Sequence, residues 1–370
     1  MDNNSIIEFC LIPPPYGGVT VYVKRLSDQL RDDGYIVGGY YTSDCNDERV
    51  LSSPYCFKEE TYNSERNVLC RAVLQFVKMY RNFKQMRPFS IVHYHGLENL
   101  KFIWFLYRYC NKKVVITVHS AMIESFYKKT DWLNKHFMKK LAEADVQWIA
   151  VSEQAKECML RLPFTFKYDI PVIAAYVPIT EINPKPLTEH MMAYLKSHTQ
   201  NIVFYARSFM YNEGVDVYGF DDALKLYADI INNYNENIGM IFCLSEDKDK
   251  NKIELLYSRA RELGVYDRIY WQIGAIDNIN VLWKNVDVYI RPTSTDGDSV
   301  AVREVLAQGT KVVASDVCLR PDGVLTYKFA DSKDFMDKTI LALKNGRTKP
   351  MANYTYYNEM KNIYERMFIK

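Results

Sequence analysis

Residues 291–315 read RPTSTDGDSVAVREVLAQGTKVVAS, and they carry the strongest indication of the fold. The apolar run Val286–Ile290 before it predicts a buried strand, and the acidic loop that follows contains Gly297. Valines at helical spacing then predict a short helix that ends near Gly309, before a second buried strand over Lys311–Ser315. A strand, loop, helix and strand in this order is typical of a parallel α/β sheet.

Two carboxylates eight positions apart, Asp296 and Glu304, make this unit a candidate ligand site. The free N–H groups at the start of the helix, over Gly297–Val300, favour a bound phosphate. Glu304, further along the same helix, is placed to accept hydrogen bonds from the vicinal hydroxyls of a ribose. The pattern therefore predicts a site for a nucleotide-linked sugar.

The same residues resemble the E-x7-E signature of retaining glycosyltransferases of family 4. Asp296 stands where the family usually has the first Glu, and Glu304 matches the second. The segment Gly309–Asp316 is similar to the family's G-x-P-V-V-A-S strand. The resemblance implies the GT-B fold, in which two Rossmann-like domains face a central cleft and a C-terminal helix crosses back to the first domain.

The chain as a whole shows two series of alternating strand and helix patterns. Such alternation predicts two parallel, two-sided sheets, and a cluster of prolines between them marks a linker. The expected divisions are an acceptor-binding domain, a linker, a nucleotide-sugar-binding domain and a helix that packs on the first domain: 1–178, 179–198, 199–352 and 353–370.

Composition indicates an ordinary globular protein. Of 370 residues, 48% are hydrophobic and 25% charged, and no apolar run approaches the ~20 residues that span a bilayer. The N-terminus lacks the basic region of a signal peptide. The eight cysteines include no C-x-x-C pair, a pattern typical of reduced thiols. We therefore expect a cytoplasmic protein without a zinc site.

The region 66–140 carries fifteen Lys and Arg residues against three acids, with many aromatics between them. One interpretation is a face that meets an anionic membrane surface or a lipid-phosphate acceptor, which would place the protein at the inner face of the membrane. The other is a set of amphipathic helices with aromatics in the core and lysines in water. No recognition motif for nucleic acid accompanies the charge.

In the first half of the chain, a glycine pair and two histidines are candidate site residues. Gly17 and Gly18 follow the first strand and resemble the family's glycine loop, on the donor side of the cleft, although a plain strand-to-helix turn has the same pattern. His95 and His119 end two strand-like runs. His119 resembles the family histidine that hydrogen-bonds the transferring sugar, and His95 is expected on the acceptor side; a lone histidine is more often structural.

In the second half, Arg207 resembles the arginine of the family's G-R-x4-K-G element, which grips the donor diphosphate. The lysine of that element is missing, because Asn212 and Glu213 stand in its place. Fewer cations would weaken stabilisation of the leaving diphosphate; Arg303 or Lys284 could compensate. Gln272 lies in the segment that resembles the base-binding turn.

The resemblance implies roles for these residues. The catalytic set is His119, Asp296 and Arg207, with Asp296 holding sugar hydroxyls. The donor-binding set comprises Gly17, Gly18, Arg207, Gln272, Asp296, Gly297, Asp298, Ser299, Val300 and Glu304. No metal or other cofactor is expected, although Asp296-Gly-Asp298 could also be interpreted as a D-x-D metal site.

These patterns predict an enzyme that transfers a sugar from a nucleotide-sugar to a glycan or polyprenyl-phosphate-linked acceptor, with retention of configuration, in surface polysaccharide or glycoconjugate synthesis. Two alternatives stay open. One is a catalytically weak nucleotide-sugar-binding or partner subunit, for which the missing lysine argues. The other is a same-fold enzyme of different chemistry, such as a nucleotide-sugar epimerase or a phosphorylase.

Overall fold

The computed structural model describes residues 4–14, 17–59, 80–179, 185–246, 248–276, 279–297 and 299–369. It divides the chain into two compact units. The N-terminal unit comprises Met1–Val177 together with Tyr354–Lys370, and the C-terminal unit comprises Pro178–Asn353. The first part of the basic region, 66–79, lies outside the described residues.

The N-terminal unit contains a parallel six-stranded sheet with helices between its strands. Its strands and helices in chain order are β1 (Ser5–Ile12), α1 (Gly18–Asp32), β2 (Ile36–Tyr41), α2 (Glu48–Leu51), β3 (Cys56–Lys58), β4 (Ile91–Tyr94), α3 (Leu100–Tyr109), β5 (Lys113–Val118), α4 (Ile123–Lys129), α5 (Trp132–Ala142), β6 (Val146–Ala150), α6 (Glu153–Leu160) and, at the C-terminus of the chain, α13 (Thr355–Ile369).

The C-terminal unit contains a second parallel six-stranded sheet and a two-stranded hairpin. Its elements are α7 (Glu189–Lys196), β7 (Gln200–Ala206), β8 (Tyr211–Asn212), β9 (Val215–Asp216), α8 (Phe220–Asn233), β10 (Ile238–Leu244), α9 (Lys250–Glu262), a 3-10 turn (Tyr266–Arg268), β11 (Ile269–Ile273), α10 (Ile279–Asn285), β12 (Val288–Arg291), α11 (Val300–Ala307), β13 (Lys311–Ser315), β14 (Val324–Tyr327) and α12 (Ser332–Asn345).

Both sheets have the same strand order. The first is β3-β2-β1-β4-β5-β6 and the second is β11-β10-β7-β12-β13-β14. Numbered within each sheet, both follow the doubly wound order 3-2-1-4-5-6, in which ligands bind beyond the carboxyl ends of the strands near the point where the order reverses. The predicted pair of Rossmann-like sheets is therefore confirmed.

The C-terminal helix α13 packs in the core of the N-terminal unit, as predicted. Tyr357, Met360, Ile363 and Tyr364 are buried with Ile6 and other side chains on one face of the first sheet. This face is also covered by α1, whose buried residues recur at helical spacing. The last helix of the chain thus completes the first core.

Part of the stretch expected to be a linker is a helix. Within 179–198, α7 begins after its N-cap Thr188, and its Met191 and Leu195 are buried in the core of the C-terminal unit. Because the helix carries its own apolar face, it becomes part of that domain.

Candidate functional site

In the N-terminal unit, a buried polar cluster lies where three neighbouring strands end. Glu8 on β1 is paired in register with His93 on β4, and His95 follows the end of that strand. Thr117 lies near the end of β5, and His119 directly after it. Since side chains two positions apart on a strand share a face, these groups all project toward the face covered by α1 and α13.

Short hydrogen-bonding distances connect the cluster. Nε2 of His95 lies 2.6 Å from Oε2 of Glu8, and Nδ1 of His95 lies 3.0 Å from Nε2 of His119. Nδ1 of His93 is 2.6 Å from the Tyr364 hydroxyl, which donates to Oε1 of Glu8 at 3.1 Å. The structure therefore brings together the two predicted histidines, and it adds four side chains that the sequence did not single out: Glu8, His93, Thr117 and Tyr364.

The pKa values favour an ionised Glu8 beside neutral imidazoles at His95 and His119. Burial would raise the pKa of Glu8, but His93 and His95 attract its negative charge and hold the pKa well below its usual range. Burial, and then the neighbouring His93, lower the pKa of His95 to about 4. Burial, reinforced by His95 and His93, lowers the pKa of His119 well below 6.5. At neutral pH, Glu8 is therefore ionised, and His95 and His119 are neutral.

Among the residues that the structure describes, Glu8, His93 and His95 are also the one group of acidic, histidine or cysteine side chains close enough to share a cation, with candidate ligand atoms within 4.8 Å of one another. Their polar atoms already hydrogen-bond to each other and to Tyr364 and Thr117. No metal ion is needed to satisfy them.

In the C-terminal unit, the predicted acidic loop is held by two arginines. Arg291 donates from Nε and Nη2 to the two oxygens of Asp296 at 2.6 and 2.8 Å, and Arg320 donates from Nη1 at 2.5 Å. The three side chains are only 3–11% exposed. Burial would raise the pKa of Asp296, but Arg291 and then Arg320 lower it to about 2. We call these three residues the arginine clamp.

The arginine clamp changes the interpretation of Asp296. Both carboxylate oxygens already accept hydrogen bonds, and Oδ1 also accepts from the Gly297 N–H at 3.0 Å. Two guanidinium groups beside the carboxylate disfavour its use as a cation ligand. The clamp holds the loop against β12 and against the segment after β13, and so it positions the start of α11. Asp298 lies outside the described residues.

The N-terminus of α11 is built as predicted. Ser299 is its N-cap and accepts a hydrogen bond from the Val302 N–H at 3.5 Å, and Val300 is the first helical residue. A side chain at Gly297 would meet no atom within 4 Å, so the backbone there is open to approach. Unpaired N–H groups at such a helix start favour an anion.

Glu304 lies in the second turn of α11 and is 6% exposed. Trp283 on α10 donates from Nε1 to Oε2 of Glu304 at 3.2 Å, and the indole is itself fully buried. A hydrogen bond to a buried carboxylate fixes its orientation. The sequence predicted the carboxylate at this position but not the tryptophan that holds it.

Arg207 follows β7, and its Nε donates to Oε1 of Glu246 at 2.9 Å. Both side chains are substantially exposed, at 49% and 34%, so the ion pair contributes little to stability. Asn212 and Glu213, which replace the expected lysine, lie in the β8–β9 hairpin, whose turn has positive φ at Glu213 and Gly214.

The remaining predicted residues lie at loop and strand ends. Gly17 is the N-cap of α1 and Gly18 its first residue. Gln272 is on β11, and its side-chain amide donates to the Gly274 carbonyl at 3.3 Å. Gly17, Gly18, His95 and His119 belong to the N-terminal unit; Arg207, Gln272 and the residues of α11 and its loop belong to the C-terminal unit.

The sequence did not identify Glu8, His93, Thr117, Tyr364, Arg320 or Trp283 as site residues. Glu8 left the clearest signal, because it interrupts the largely apolar strand SIIEFCLI, and a charge in a buried strand requires partners. The others belong to no recognisable motif. Their partners lie 21 to 356 positions away along the chain, beyond the reach of local patterns.

No helix in the described part of the chain is long and apolar enough to span a bilayer. The seven described cysteines are free thiols.

One family model and several solved structures match this chain. The sequence model for Glycosyltransferase Family 4 matches residues 16–172. No curated protein sequence matches the chain.

Similar solved structures include a sucrose-phosphate synthase from Thermosynechococcus elongatus, with 18% identity, a TM-score of 0.72 and 99% of each chain covered. A glycosyltransferase from Rickettsia africae has 13% identity, a TM-score of 0.70 and 99% of each chain covered. HepE from Anabaena, in complex with UDP and glucose, has 12% identity and a TM-score of 0.64, with 98% of this chain and 95% of that chain covered. Because these sequence identities are low, the structural similarity establishes the fold alone. This fold is the GT-B fold.

Proposed function

We propose that this chain, whose residues 16–172 match the model of Glycosyltransferase Family 4, carries out a retaining transfer of a hexose from a nucleotide-sugar to a glycan or polyprenyl-phosphate-linked acceptor, in surface polysaccharide or glycoconjugate synthesis. One observation supports the donor site most directly. Glu304 is a buried carboxylate held by Trp283, one and a half turns beyond a helix N-terminus that is open to an anion.

In the proposed complex, Glu304 accepts hydrogen bonds from the ribose hydroxyls, and the N–H groups from Gly297 to Val300 bind the diphosphate. Arg207 contributes a positive charge beside the diphosphate when its side chain rotates away from Glu246. The HepE complexes contain UDP or UDP-glucose, which makes a UDP-sugar the first donor to test. Gln272 would lie beside the base, and Gly17 and Gly18 on the donor side.

The chemistry proposed for the transfer needs no carboxylate nucleophile. The bond between the anomeric carbon and the diphosphate oxygen breaks while the acceptor hydroxyl attacks the same face, and its proton passes to the leaving phosphate. The protein stabilises the charge that develops on the diphosphate. His119 orients the transferring sugar, and Asp296 acts by holding the loop in place.

The acceptor side carries the charge pattern that favours an anionic partner. On α3, Phe105 and Tyr109 are 40% and 72% exposed, and on α5 Trp132 is 72% exposed. Lysines and arginines lie among these aromatics, and the two helices pack against each other. A surface with exposed aromatics and cations suits the interface of an anionic bilayer, where a lipid-linked acceptor would be found.

The donor assignment is tested with UDP-, GDP- and ADP-sugars, scored by thermal shift and by slow hydrolysis, on wild type and Glu304→Ala. Removing the carboxylate is expected to abolish both the thermal shift and hydrolysis. Glu254→Ala, on the exposed side of α9, is the matched control and is expected to behave as wild type. If no nucleotide-sugar binds the wild type, or if Glu304→Ala binds it equally well, the assignment is wrong.

The missing lysine supports one alternative, a weakly catalytic partner subunit. Under that hypothesis the wild type binds a nucleotide-sugar without turning it over, even with lipid-phosphate acceptors present. Turnover gained by Glu213→Lys or Asn212→Lys would support it, whereas turnover by the wild type would exclude it. Conversion of the bound sugar without transfer would instead indicate an epimerase.

A further inference from the structure

A chain of hydrogen bonds connects the buried carboxylate of Glu8 to His119 through His95. The two contacts are 2.6 Å, between Oε2 of Glu8 and Nε2 of His95, and 3.0 Å, between Nδ1 of His95 and Nε2 of His119. Glu8 and His95 side chains are fully buried, and His119 is partly exposed at the carboxyl edge of the sheet. This series of hydrogen bonds therefore runs from the core to the edge of the sheet, where ligands bind in such folds.

The protonation state of Glu8 determines which nitrogen of each histidine donates a hydrogen bond. An ionised carboxylate can only accept, so a neutral His95 donates its Nε2–H to Glu8 and keeps a lone pair on Nδ1. The Nε2 of His119 must then carry the proton that it donates to His95. A neutral imidazole has one N–H, so the Nδ1 of His119 is left as an acceptor.

The other half of the cluster ends on the same carboxylate. Nδ1 of His93 lies 2.6 Å from the Tyr364 oxygen and 3.0 Å from Oε2 of Glu8, and its Nε2 lies 2.7 Å from the Thr117 hydroxyl. Tyr364 donates to Oε1 of Glu8. Both oxygens of Glu8 therefore have hydrogen-bonding partners in the core.

We propose that Glu8 is a positioning residue that holds His119 as the Nε2–H tautomer, so that Nδ1 accepts a hydrogen bond from a hydroxyl of the transferred sugar. Nδ1 of His119 makes no hydrogen bond to any residue in the described ranges. The contact with the sugar rests on the proposed function; the tautomer itself does not. A carboxylate that orients a histidine through one of its ring nitrogens is a general device for fixing which nitrogen stays basic.

The test uses the full-length chain labelled with ¹⁵N-histidine. The chain has six histidines, and comparison with His119→Asn assigns the His119 signals. Two-bond ¹H–¹⁵N correlation spectra distinguish the Nε2–H and Nδ1–H tautomers. In the wild type, His119 is expected to be the Nε2–H tautomer between pH 6 and 8.

Glu8→Met removes the acceptor with little change in volume. If the Glu8→Met protein does not fold, Glu8→Gln, which removes the charge and keeps the shape of the side chain, takes its place. In Glu8→Met, the His119 signals are expected to shift toward a mixture of tautomers, and kcat/KM for the donor to fall by about 10- to 100-fold, the usual effect of removing a group that orients a functional histidine. Tyr364→Phe is the matched control. It removes a buried hydroxyl from the other Glu8 oxygen and is expected to leave the His119 tautomer unchanged.

Several results would overturn the proposal: an Nδ1–H tautomer of His119 in the wild type, signals unchanged in a folded Glu8→Met, or a stoichiometric zinc ion in the purified protein. The two proposals fail separately. If the tautomer depends on Glu8 but no nucleotide-sugar turns over, the positioning role stands and the proposed function fails. If donors turn over while His119 is the Nδ1–H tautomer, only the positioning role fails.

Discussion

Neutralising Asp296 is expected to destabilise the C-terminal unit far more than neutralising an exposed aspartate with the same number of partners. The Asp296→Asn substitution leaves Arg291 and Arg320 facing a neutral amide while both stay buried. Breaking a buried ion pair by removing one partner typically costs about 3–5 kcal/mol, because the remaining charge is uncompensated. For a domain of this size, that corresponds to a fall in Tm of about 6–20 °C.

Asp221→Asn is the matched control. Asp221 also has two cationic partners, Lys225 at 2.6 Å and Arg259 at 2.7 Å, but its side chain is 48% exposed. Exposed ion pairs contribute at most about 1 kcal/mol, so we expect a small change in the free energy of unfolding. Urea unfolding of both variants and the wild type, followed by tryptophan fluorescence, measures the difference.

The pH dependence provides a second check. The pKa of Asp296 is lowered from 3.8 to about 2 in the folded state, so its contribution to stability is present above pH 3.8 and is lost as pH falls toward 2. A shift of this size corresponds to about 2 kcal/mol. The stability difference between wild type and Asp296→Asn should therefore shrink by about 2 kcal/mol from pH 5 to pH 2. If Asp296→Asn lowers the free energy of unfolding no more than Asp221→Asn does, the arginine clamp does not stabilise the unit as expected. The same follows if the stability difference between wild type and Asp296→Asn is independent of pH.

Two further substitutions test the surroundings of the donor loop. Gly219 has a φ of +74°, and an added Cβ would lie 2.2 Å from the Pro292 carbonyl oxygen, whereas Gly214 has a φ of +83° with open space around it. In chemical denaturation we expect Gly219→Ala to lower the free energy of unfolding by about 2–4 kcal/mol and Gly214→Ala by only about 1 kcal/mol. The reason is that only Gly219→Ala adds a backbone clash to the strain of the left-handed region. Equal losses in the two variants would contradict this. Trp283→Phe removes the hydrogen bond to Glu304 and is expected to weaken nucleotide-sugar binding by about tenfold in titration calorimetry, the equivalent of one hydrogen bond to a charged group; an unchanged Kd would show that the indole does not hold the carboxylate for binding.

Much of the candidate donor site was predictable because it lies within one short segment. Asp296, Ser299 and Glu304 fall within nine residues, and the helix between them follows from its valines and its N-cap. The relative positions of these three residues depend only on the loop and the helix that contain them. The partners of these residues are not local, since Arg320 and Trp283 reach them from other elements.

Local sequence patterns predicted the two series of strands and helices, the positions of His95 and His119 at strand ends, and the acidic loop before α11. These are consequences of periodicity, which acts over a few residues. The contacts of those groups follow from the folded structure. Strand order placed β1 between β2 and β4, and its register brought Glu8 opposite His93. The last helix then brought Tyr364 to the same carboxylate across 356 positions of the chain. A hydrogen bond depends on the distance between two atoms in the folded chain, and no local pattern contains that distance.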